Sequence, residues 1–567
     1  MERDSRLLIG DTALPVQTID RELGRLTIVG QCLSPPEEIA ALGDRALQSG
    51  DAQCMQTLLG SFSVVMEAAQ SGQVAVSTDV SNQHPVFWSN AGGSPRLSLT
   101  AGALGSEPNP VYLAAMFGCK DETLIKGLTA YQGVYSIEGG QAAHYAPGKD
   151  LVVSAGNVIV PDYKLAFEDA AMALRGELLL AIQARMLLGQ VVTADCSGGL
   201  DSTGIALLAA AMRQDVLQAV ILDSLFAMTA DVPFARQIVA GNPHIHLNEV
   251  EVTETALPFY ALHDVDLHDQ PDPASGINAR IRTKLRALKE LGSQLHFTGD
   301  GGDAVLDSPP NYLTDLARLG LYDELRSSAI AWGRLRYLAP RDLERDAFRN
   351  AARTISHDLH RLVRKFRNPE LQTARLTWFD WPSQGLRILS KQARLQLAER
   401  ASEVAETINV PEGMGMADYV SLQGLQQGGI LHSHLREIAA TEGIATHAPY
   451  MDTRVAKACL QLPAYLRADR RGQFKKLLGA FAGQLPDALL ARSSKGNYAS
   501  EAYKGLRRNR KAVEALLLHD SRLEAMGLTE TKAVREAIRR QAGGLQTELQ
   551  ILDRLVAAEV WLRRKGW

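Results

Sequence analysis

One stretch, TADCSGGLDSTGIALLAAA at 193–211, constrains the fold of this chain more than any other. The overlapping run GQVVTADC is short, β-branched and ends in small residues, which is typical of a strand entering a parallel sheet. The following IALLAAA is rich in strong helix formers. The predicted turn between strand and helix consists of Ser197, Gly198, Gly199, Leu200, Asp201 and Ser202.

This turn has the chemistry of an anion site. Backbone N–H groups at a helix start lack helical partners and lie at the positive end of the helix dipole. Two glycines let the backbone approach a bulky anion without Cβ clashes. The carboxylate of Asp201 fits beside a phosphate only if a divalent cation lies between them, so the turn predicts a Mg²⁺-phosphate site. The alternative is a plain glycine-rich turn with a capping serine.

Strands alternate with helices on either side of this turn, which predicts an α/β fold with a doubly wound parallel sheet. Ligands of such sheets bind at the carboxyl ends of the strands. Residues 1–160 are instead rich in short strands, and from about 312 onward the pattern is almost wholly helical. The expected elements of the alternating part are helices at 166–190, 232–241 and 278–292 and strands at 191–196, 215–223, 244–252 and 294–300.

A second polar loop, Thr298-Gly299-Asp300-Gly301-Gly302-Asp303, follows the last of these strands. It lies at the same predicted edge of the sheet, so Asp201 and Asp303 are candidate ligands of one Mg²⁺ ion. Gly299, together with Leu222 at the end of strand 215–223, completes the predicted nucleotide-binding residues. The alternative is a loop of Asx turns whose aspartates are solvated.

Composition narrows the class of protein. A chain of 567 residues exceeds one ordinary core, so we expect two domains, 1–160 and 161–567. A net charge of −4 does not support a protein that coats nucleic acid. Five scattered cysteines without a C-x-x-C pair favour a reducing cytoplasm, and no apolar run approaches the roughly 18 residues of a membrane helix. The cysteines are Cys32, Cys54, Cys119, Cys196 and Cys459.

The string S-G-G-L-D-S lacks the G-K-[ST] of a Walker loop and resembles the pyrophosphate loop of ATP pyrophosphatases, which cleave ATP to AMP and pyrophosphate. The second loop resembles the G-[DE]-G-x-D element of asparagine-synthetase-like amide ligases within that superfamily. The segment 447–452, HAPYMD, resembles the family's R-x-P-F-L-D, although Ala445 stands where asparagine synthetases carry a glutamate. Asp272 lies in a segment like the acidic-Pro element that precedes the second loop in that family.

The same resemblance implies roles for two lysines and one further aspartate. Lys475 and Lys495 match lysines that grip the phosphates and the reacting acyl centre, and Lys495 is expected to stabilise negative charge there. Asp300 occupies the position of the family's Tyr or Glu and is a candidate to help deprotonate the attacking amine. For either lysine taken alone, the alternative is a solvated helix face.

Residues 1–160 resemble the glutaminase-type domain of the same family. A working glutaminase uses an N-terminal cysteine as its nucleophile, whereas residue 2 is Glu2 and the first cysteine is Cys32. The resemblance therefore implies a vestigial domain that releases no ammonia, and an amine supplied by the substrate itself.

Three strings, at 299–320, 491–511 and 555–567, resemble lasso peptide cyclases. That resemblance implies ATP-dependent formation of an isopeptide bond between a side-chain carboxylate and the α-amine of a precursor peptide. It also implies a leader peptidase and a leader-recognition protein as possible partners, and no nucleic-acid or membrane partner. Open alternatives are ring closure like that of β-lactam synthetases, asparagine synthesis, tRNA modification and a non-catalytic scaffold.

Overall fold

The structure of the protein is a computed structural model. The structure describes residues 7–8, 14–90, 95–119, 121–188, 191–227, 229–382, 384–468, 475–492, 496–545 and 548–567.

The first part of the chain forms two sheets that pack face to face. A six-stranded antiparallel sheet has the order β10-β9-β5-β4-β3-β2, and a four-stranded sheet has the order β1-β7-β6-β8. The strands are β1 (Leu7–Leu8), β2 (Val16–Arg21), β3 (Gly24–Cys32), β4 (Gly60–Ala68), β5 (Val74–Ser77), β6 (Val86–Ser89), β7 (Arg96–Ser98), β8 (Tyr135–Ile137), β9 (Ala142–Tyr145) and β10 (Val152–Ser154). The β-rich texture predicted for residues 1–160 is present.

Alternation along β3 explains this layering. Leu26 and Ile28 point to one face of the six-stranded sheet and pack with helix α1 (Pro36–Ser49). Val29 points to the other face and packs against the four-stranded sheet. Because successive side chains of a strand face opposite ways, one apolar strand contributes to two cores.

The second part contains a five-stranded parallel sheet, as the alternating pattern predicts. Its order is β13-β12-β11-β14-β15, and every neighbouring pair is parallel. The strands are β11 (Val192–Asp195), β12 (Leu217–Asp223), β13 (Ile245–Glu251), β14 (Leu295–Phe297) and β15 (Ala445–His447). Helix α3 (Phe167–Met186) precedes β11 in the chain, and helices α4 (Leu200–Ala211), α5 (Asp231–Val239) and α6 (Asn278–Glu290) connect successive strands from β11 to β14.

Helices cover both faces of this sheet. On β12, Ala219 and Ile221 belong to the core that includes α4 and α5. Val220 belongs to a separate core with α6 and the long helix α14 (Met416–Thr441). This is the arrangement of a doubly wound sheet.

The chain after residue 312 is almost wholly helical, as predicted, and β15 is a short strand within it. Strand β15 pairs with β14 through Leu295 and Ala445 and adds the fifth strand. It has three residues, which is too short for a recognisable alternation of polar and apolar side chains.

The remaining helices form the bulk of the second part. Helix α2 (Pro110–Gly118) precedes the parallel sheet in the chain but joins the largest hydrophobic cluster, in which Phe117 and Trp561 both lie. That cluster therefore contains side chains from both sides of position 160. The division into two domains at that position stays a prediction. The helices are α7 (Gly302–Leu306), α8 (Tyr312–Arg318), α9 (Tyr322–Arg336), α10 (Pro340–Asn350), α11 (Ile355–Arg367), α12 (Gly385–Ile388), α13 (Lys391–Thr407), α15 (Thr453–Leu460), α16 (Ala464–Arg467), α17 (Asp487–Leu490), α18 (Ala499–Leu518), α19 (Arg522–Ala525), α20 (Thr531–Ala542) and α21 (Gln550–Lys565).

No helix among the described residues is long and apolar enough to cross a membrane.

Candidate active site

The glycine turn lies where the sequence predicts it, between β11 and α4. Gly198 has φ 76°, a conformation that favours glycine, and Gly199 caps α4 in an extended conformation. The backbone N–H of Ser197 donates to the hydroxyl of Ser202 at 3.2 Å, and the two serine hydroxyls are 2.9 Å apart. These contacts hold the turn closed around the amino end of α4, where Leu200 and Asp201 form the first turn of the helix.

The second loop packs directly against this turn, because β14 is the neighbour of β11 in the sheet. A Cβ on Gly299 would lie 2.5 Å from the backbone nitrogen of Ser202, and a Cβ on Gly302 would lie 2.5 Å from Cγ of Asp201. Real Cβ atoms do not approach so closely. Both glycines are therefore needed for close contact between the two loops, and the sequence reasoning missed this role of Gly302.

Lys475 joins the two predicted metal ligands. Its ammonium nitrogen contacts a carboxylate oxygen of Asp201 and lies 2.7 Å from Oδ1 of Asp303. The side chain of Lys475 is 7% exposed, while that of Asp303 is 63% exposed, so the cluster opens to solvent on the Asp303 side. Burial alone would lower the pKa of Lys475, but the charges of Asp201 and Asp303 hold that pKa above its ordinary value. Lys475 is therefore a fixed cation and not a base.

The residues present fit a magnesium ion. Within the part of the chain that the structure describes, no group of three or more His, Cys, Asp or Glu side chains is arranged to hold a metal by itself. Mg²⁺ in phosphate-binding proteins needs only one or two carboxylates, since phosphate oxygens and water complete its shell. Asp201 and Asp303, which meet at Lys475, supply such a pair.

Asp300 points to a histidine that sequence reasoning missed. Nδ1 of His432, on α14, lies 2.8 Å from a carboxylate oxygen of Asp300, which also accepts a hydrogen bond from Thr298 at 2.9 Å. Burial opposes ionisation of Asp300, but these hydrogen bonds and the charge of Lys284 hold its pKa below the ordinary value. A histidine on a helix gives no sequence signal of such a partner, because the two residues are 132 positions apart.

Lys495 lies outside the described residues, but both flanks of its segment are tied to the glycine turn. Arg492 donates to the carbonyl of Gly198 and pairs with Asp231. The hydroxyl of Tyr498 donates to the other oxygen of Asp231 at 2.8 Å. Asp231 therefore anchors the chain on both sides of 493–495, a role that the sequence did not indicate.

The remaining predicted residues lie in a strand, a capped turn and an ion-paired segment beside the site. Leu222 lies near the carboxyl end of β12, paired in register with Val250. Asp272 is buried, caps the turn Pro273–Ile277 and accepts a hydrogen bond from His434 at 3.0 Å. In the HAPYMD segment, Arg185 bridges His447 and Asp452, so these residues stabilise the fold beside the site.

Comparison with known proteins agrees with this geometry. The sequence matches the family described as asparagine synthase over residues 173–563, which is more than half of the chain and includes both loops and Lys475. The comparison with curated proteins gives no match. The chain therefore belongs to the asparagine synthase family, and the class of activity that follows from membership is ATP-dependent amide-bond formation.

Proposed function

We propose that the protein closes a ring in a ribosomal peptide, as lasso peptide cyclases do, by activating an Asp or Glu side chain with ATP and joining it to the peptide's α-amine. The observation that carries the ligase chemistry is the cluster of Asp201, Asp303 and Lys475 at the glycine edge of the sheet. The resemblance of 299–320, 491–511 and 555–567 to lasso cyclases supports the choice of substrate.

In the proposed first step, an oxygen of the substrate carboxylate attacks the α-phosphorus of ATP. The bond between that phosphorus and the bridging oxygen breaks, and pyrophosphate leaves. The N–H groups of the glycine turn bind phosphate oxygens, with Ser197 and Ser202 as further donors. A magnesium ion on Asp201 and Asp303 would offset phosphate charge, and Lys475 supplies a fixed positive charge beside it.

In the proposed second step, the amine nitrogen attacks the acyl carbon, and AMP leaves with the electron pair of the broken acyl–oxygen bond. The attacking ammonium must first lose a proton. Asp300 is the candidate acceptor, and its hydrogen bond with His432 fixes the carboxylate in place. Lys495 is proposed to stabilise the acyl oxygen.

The cysteines of the first part support an amine that comes from the substrate. Burial raises the pKa of the Cys32 thiol to about 11 and also raises the pKa values of Cys54 and Cys119. None of these three is activated as a thiolate nucleophile. They therefore offer no route to ammonia from glutamine.

The test uses the full chain with ATP, Mg²⁺ and synthetic peptides that carry a free α-amine and one internal Asp or Glu. We expect release of AMP and pyrophosphate together with a peptide that has lost one water. The matched control is the same peptide with an acetylated α-amine, which should be adenylated but not cyclised.

Other outcomes would replace the proposal. Turnover of aspartate that depends on glutamine or ammonia would identify an asparagine synthetase. Ring closure of a small amino acid derivative would identify chemistry like that of β-lactam synthetases. Turnover with tRNA would identify a modifying enzyme, and no pyrophosphate from any substrate would favour a scaffold.

A further inference from the structure

A cavity of about 330 Å³ lies between the β-rich first part and helices α14 and α21, and its lining includes none of residues 197–202 and 298–303. One face of α14 forms a wall through Gln427, Ile430, His434 and Glu437, which follow helical spacing. The apolar part of the lining includes Phe87, Leu99, Met116, Ile125 and Leu128. Its volume is within the range of about 300–1,000 Å³ that is typical of small-ligand sites.

Carboxyl groups outnumber guanidinium groups in the lining of this cavity. Five carboxyl groups and two guanidinium groups line the cavity. Four of the carboxyl groups have local partners. Asp269 accepts from the N–H groups of Ala101 and Gly102, and Glu437 pairs with His268. Asp121 accepts from the N–H groups of Thr123 and Asp380, and one oxygen of Glu138 accepts from the N–H of Gly127. The fifth is Glu122, and the guanidinium groups belong to Arg436 and Arg554.

The charges of Glu138 and Asp121 both disfavour the ionised form of Glu122. Burial first, and then the charge of Glu138, raises the pKa of Glu122 to about 7. Burial likewise raises the pKa of Asp121 to about 6 and raises the pKa of Glu138. The charges of Lys126 and Arg554 act in the other direction on Glu122 but do not cancel these effects.

The lining also holds two buried polar atoms without a hydrogen-bond partner among the described residues, the acceptor oxygen of Asn82 and the donor Nε of Arg436. Asn82 lines the same cavity and is 5% exposed, and its side-chain oxygen has no hydrogen-bond partner among the described residues. Asn82 also has φ 62°, a backbone conformation that asparagine tolerates better than most residues. A buried acceptor without a donor costs about 1–3 kcal/mol, so it is expected to be satisfied when the cavity is filled.

We propose that this cavity binds an organic cation, a primary ammonium group carried on an apolar stem. The ammonium would lie against Glu122, Glu138 and the oxygen of Asn82, and the stem against Met116 and Ile125. The same chemistry is offered by a lysine side chain of a peptide and by a free alkylamine. The site does not depend on the proposed cyclisation, so either proposal can fail without the other.

The probes are hexylammonium, its neutral analogue hexan-1-ol and N-acetyl-lysine methylamide, titrated into the full chain by calorimetry. We expect hexylammonium to bind at least about tenfold more tightly than the alcohol, since a hydrogen bond to a charged group contributes more than a neutral one. Binding of the lysine derivative as well would assign the ammonium to a peptide side chain. Binding of hexylammonium alone would assign it to a free amine.

The matched variants are E122Q, E138Q and N82G. Each should weaken hexylammonium binding by about tenfold or more, because it removes one charge or acceptor while keeping the backbone conformation. The control E406Q changes an exposed glutamate of α13 outside the cavity and should leave the affinity unchanged. Melting temperatures check that every variant is folded.

Proton release provides an independent readout. A bound cation should return Glu122 to its ionised form, so binding at pH 6.5 should release protons and tighten as pH rises to 8. Calorimetry in two buffers of different ionisation enthalpy measures this release. Equal affinity for amine and alcohol, no binding of either, or full affinity in E122Q and E138Q would overturn the proposal. The charged or titratable groups that face Glu122 are Tyr112, Asp121, Lys126, Glu138 and Arg554.

Discussion

The ammonium nitrogen of Lys475 lies 2.7 Å from Oδ1 of Asp303, although the two residues are 172 positions apart in the chain. The same nitrogen contacts Asp201, 274 positions away. Lys475 itself adopts φ 67°, in the left-handed region that costs a lysine about 1–2 kcal/mol. A strained lysine that joins two carboxylates at a sheet edge is more consistent with a functional constraint than with a solvated surface position.

Replacing Lys475 by alanine should lower turnover by about 10²–10³-fold, because it removes one fixed charge from the phosphate site. The measurement is pyrophosphate release with substrate present. K476A is the control, since the neighbouring lysine lies over the ring of Phe167. Lys475 has no role in the mechanism if K475A turns over at the normal rate, or if K476A lowers the rate as much as K475A does.

Gly299→Ala should abolish turnover, because the new Cβ would lie 2.5 Å from the nitrogen of Ser202 and would push the two loops apart. The melting temperature should fall as well. The control is G176A on α3, where a Cβ meets nothing within 4 Å and alanine should stabilise the helix by about 1 kcal/mol. Normal activity in G299A would show that the loops separate without consequence for catalysis.

Asp300→Asn should separate the two steps of the reaction. The variant should keep exchange of pyrophosphate into ATP within a few-fold, while cyclised product falls by about 10²–10⁴-fold, the usual effect of losing a general base. His432→Gln should show the same split to a smaller extent, and the double variant should not be additive, because the two residues act as a pair. Equal loss of exchange and product would place Asp300 in phosphate binding instead.

Much of this site was predictable because it is built at the ends of adjacent strands. The spacing of glycines and carboxylates after two apolar strands is local information, and parallel pairing brings Asp201 and Asp303 to one edge. The contact of Gly302 with Asp201 follows from the same arrangement but needs coordinates to be seen.

The unpredicted contacts are those between distant segments. His432 reaches Asp300 from α14, and Asp231 ties Arg492 to the glycine turn across 261 positions. Neither pairing has a local pattern, because each partner is a single polar residue far along the chain from the other. Strand β15 was missed for a related reason, since three residues are held in place by pairing with β14 and not by their own preference.

Asp231→Asn should raise KM for ATP by about tenfold, because Arg492 would lose its charged partner beside the carbonyl of Gly198. Steady-state pyrophosphate release at varied ATP measures the change. Tyr498→Phe is the matched control, since it removes one hydroxyl from Asp231 and leaves the ion pair intact. The anchoring role is contradicted if D231N has a lower kcat and is unfolded, or if its KM for ATP is unchanged.

Asp553, a residue of α21 that takes no part in the proposed reaction, makes the stability of the fold depend on pH. Its carboxylate packs against the turn at Gly276, where a Cβ would come within 2.7 Å of Oδ1. Burial raises the pKa of Asp553 to about 7, although Arg554 acts to lower it. The folded protein therefore holds a proton at Asp553 that the unfolded chain releases near the ordinary pKa of about 3.9.

The sign follows from these two values. The contribution of the bound proton to stability is fully present below about pH 4 and is lost as pH rises to about 7. The Asp553→Asn side chain has nearly the same size and shape as aspartic acid but cannot lose a proton. The melting temperature of this variant should therefore exceed that of the native protein at pH 8 and match it more closely at pH 4. The exposed Asp150→Asn serves as the control and should change neither value by much. If D553N is destabilised at pH 8, the carboxylate is ionised in the folded state and its charge is satisfied there.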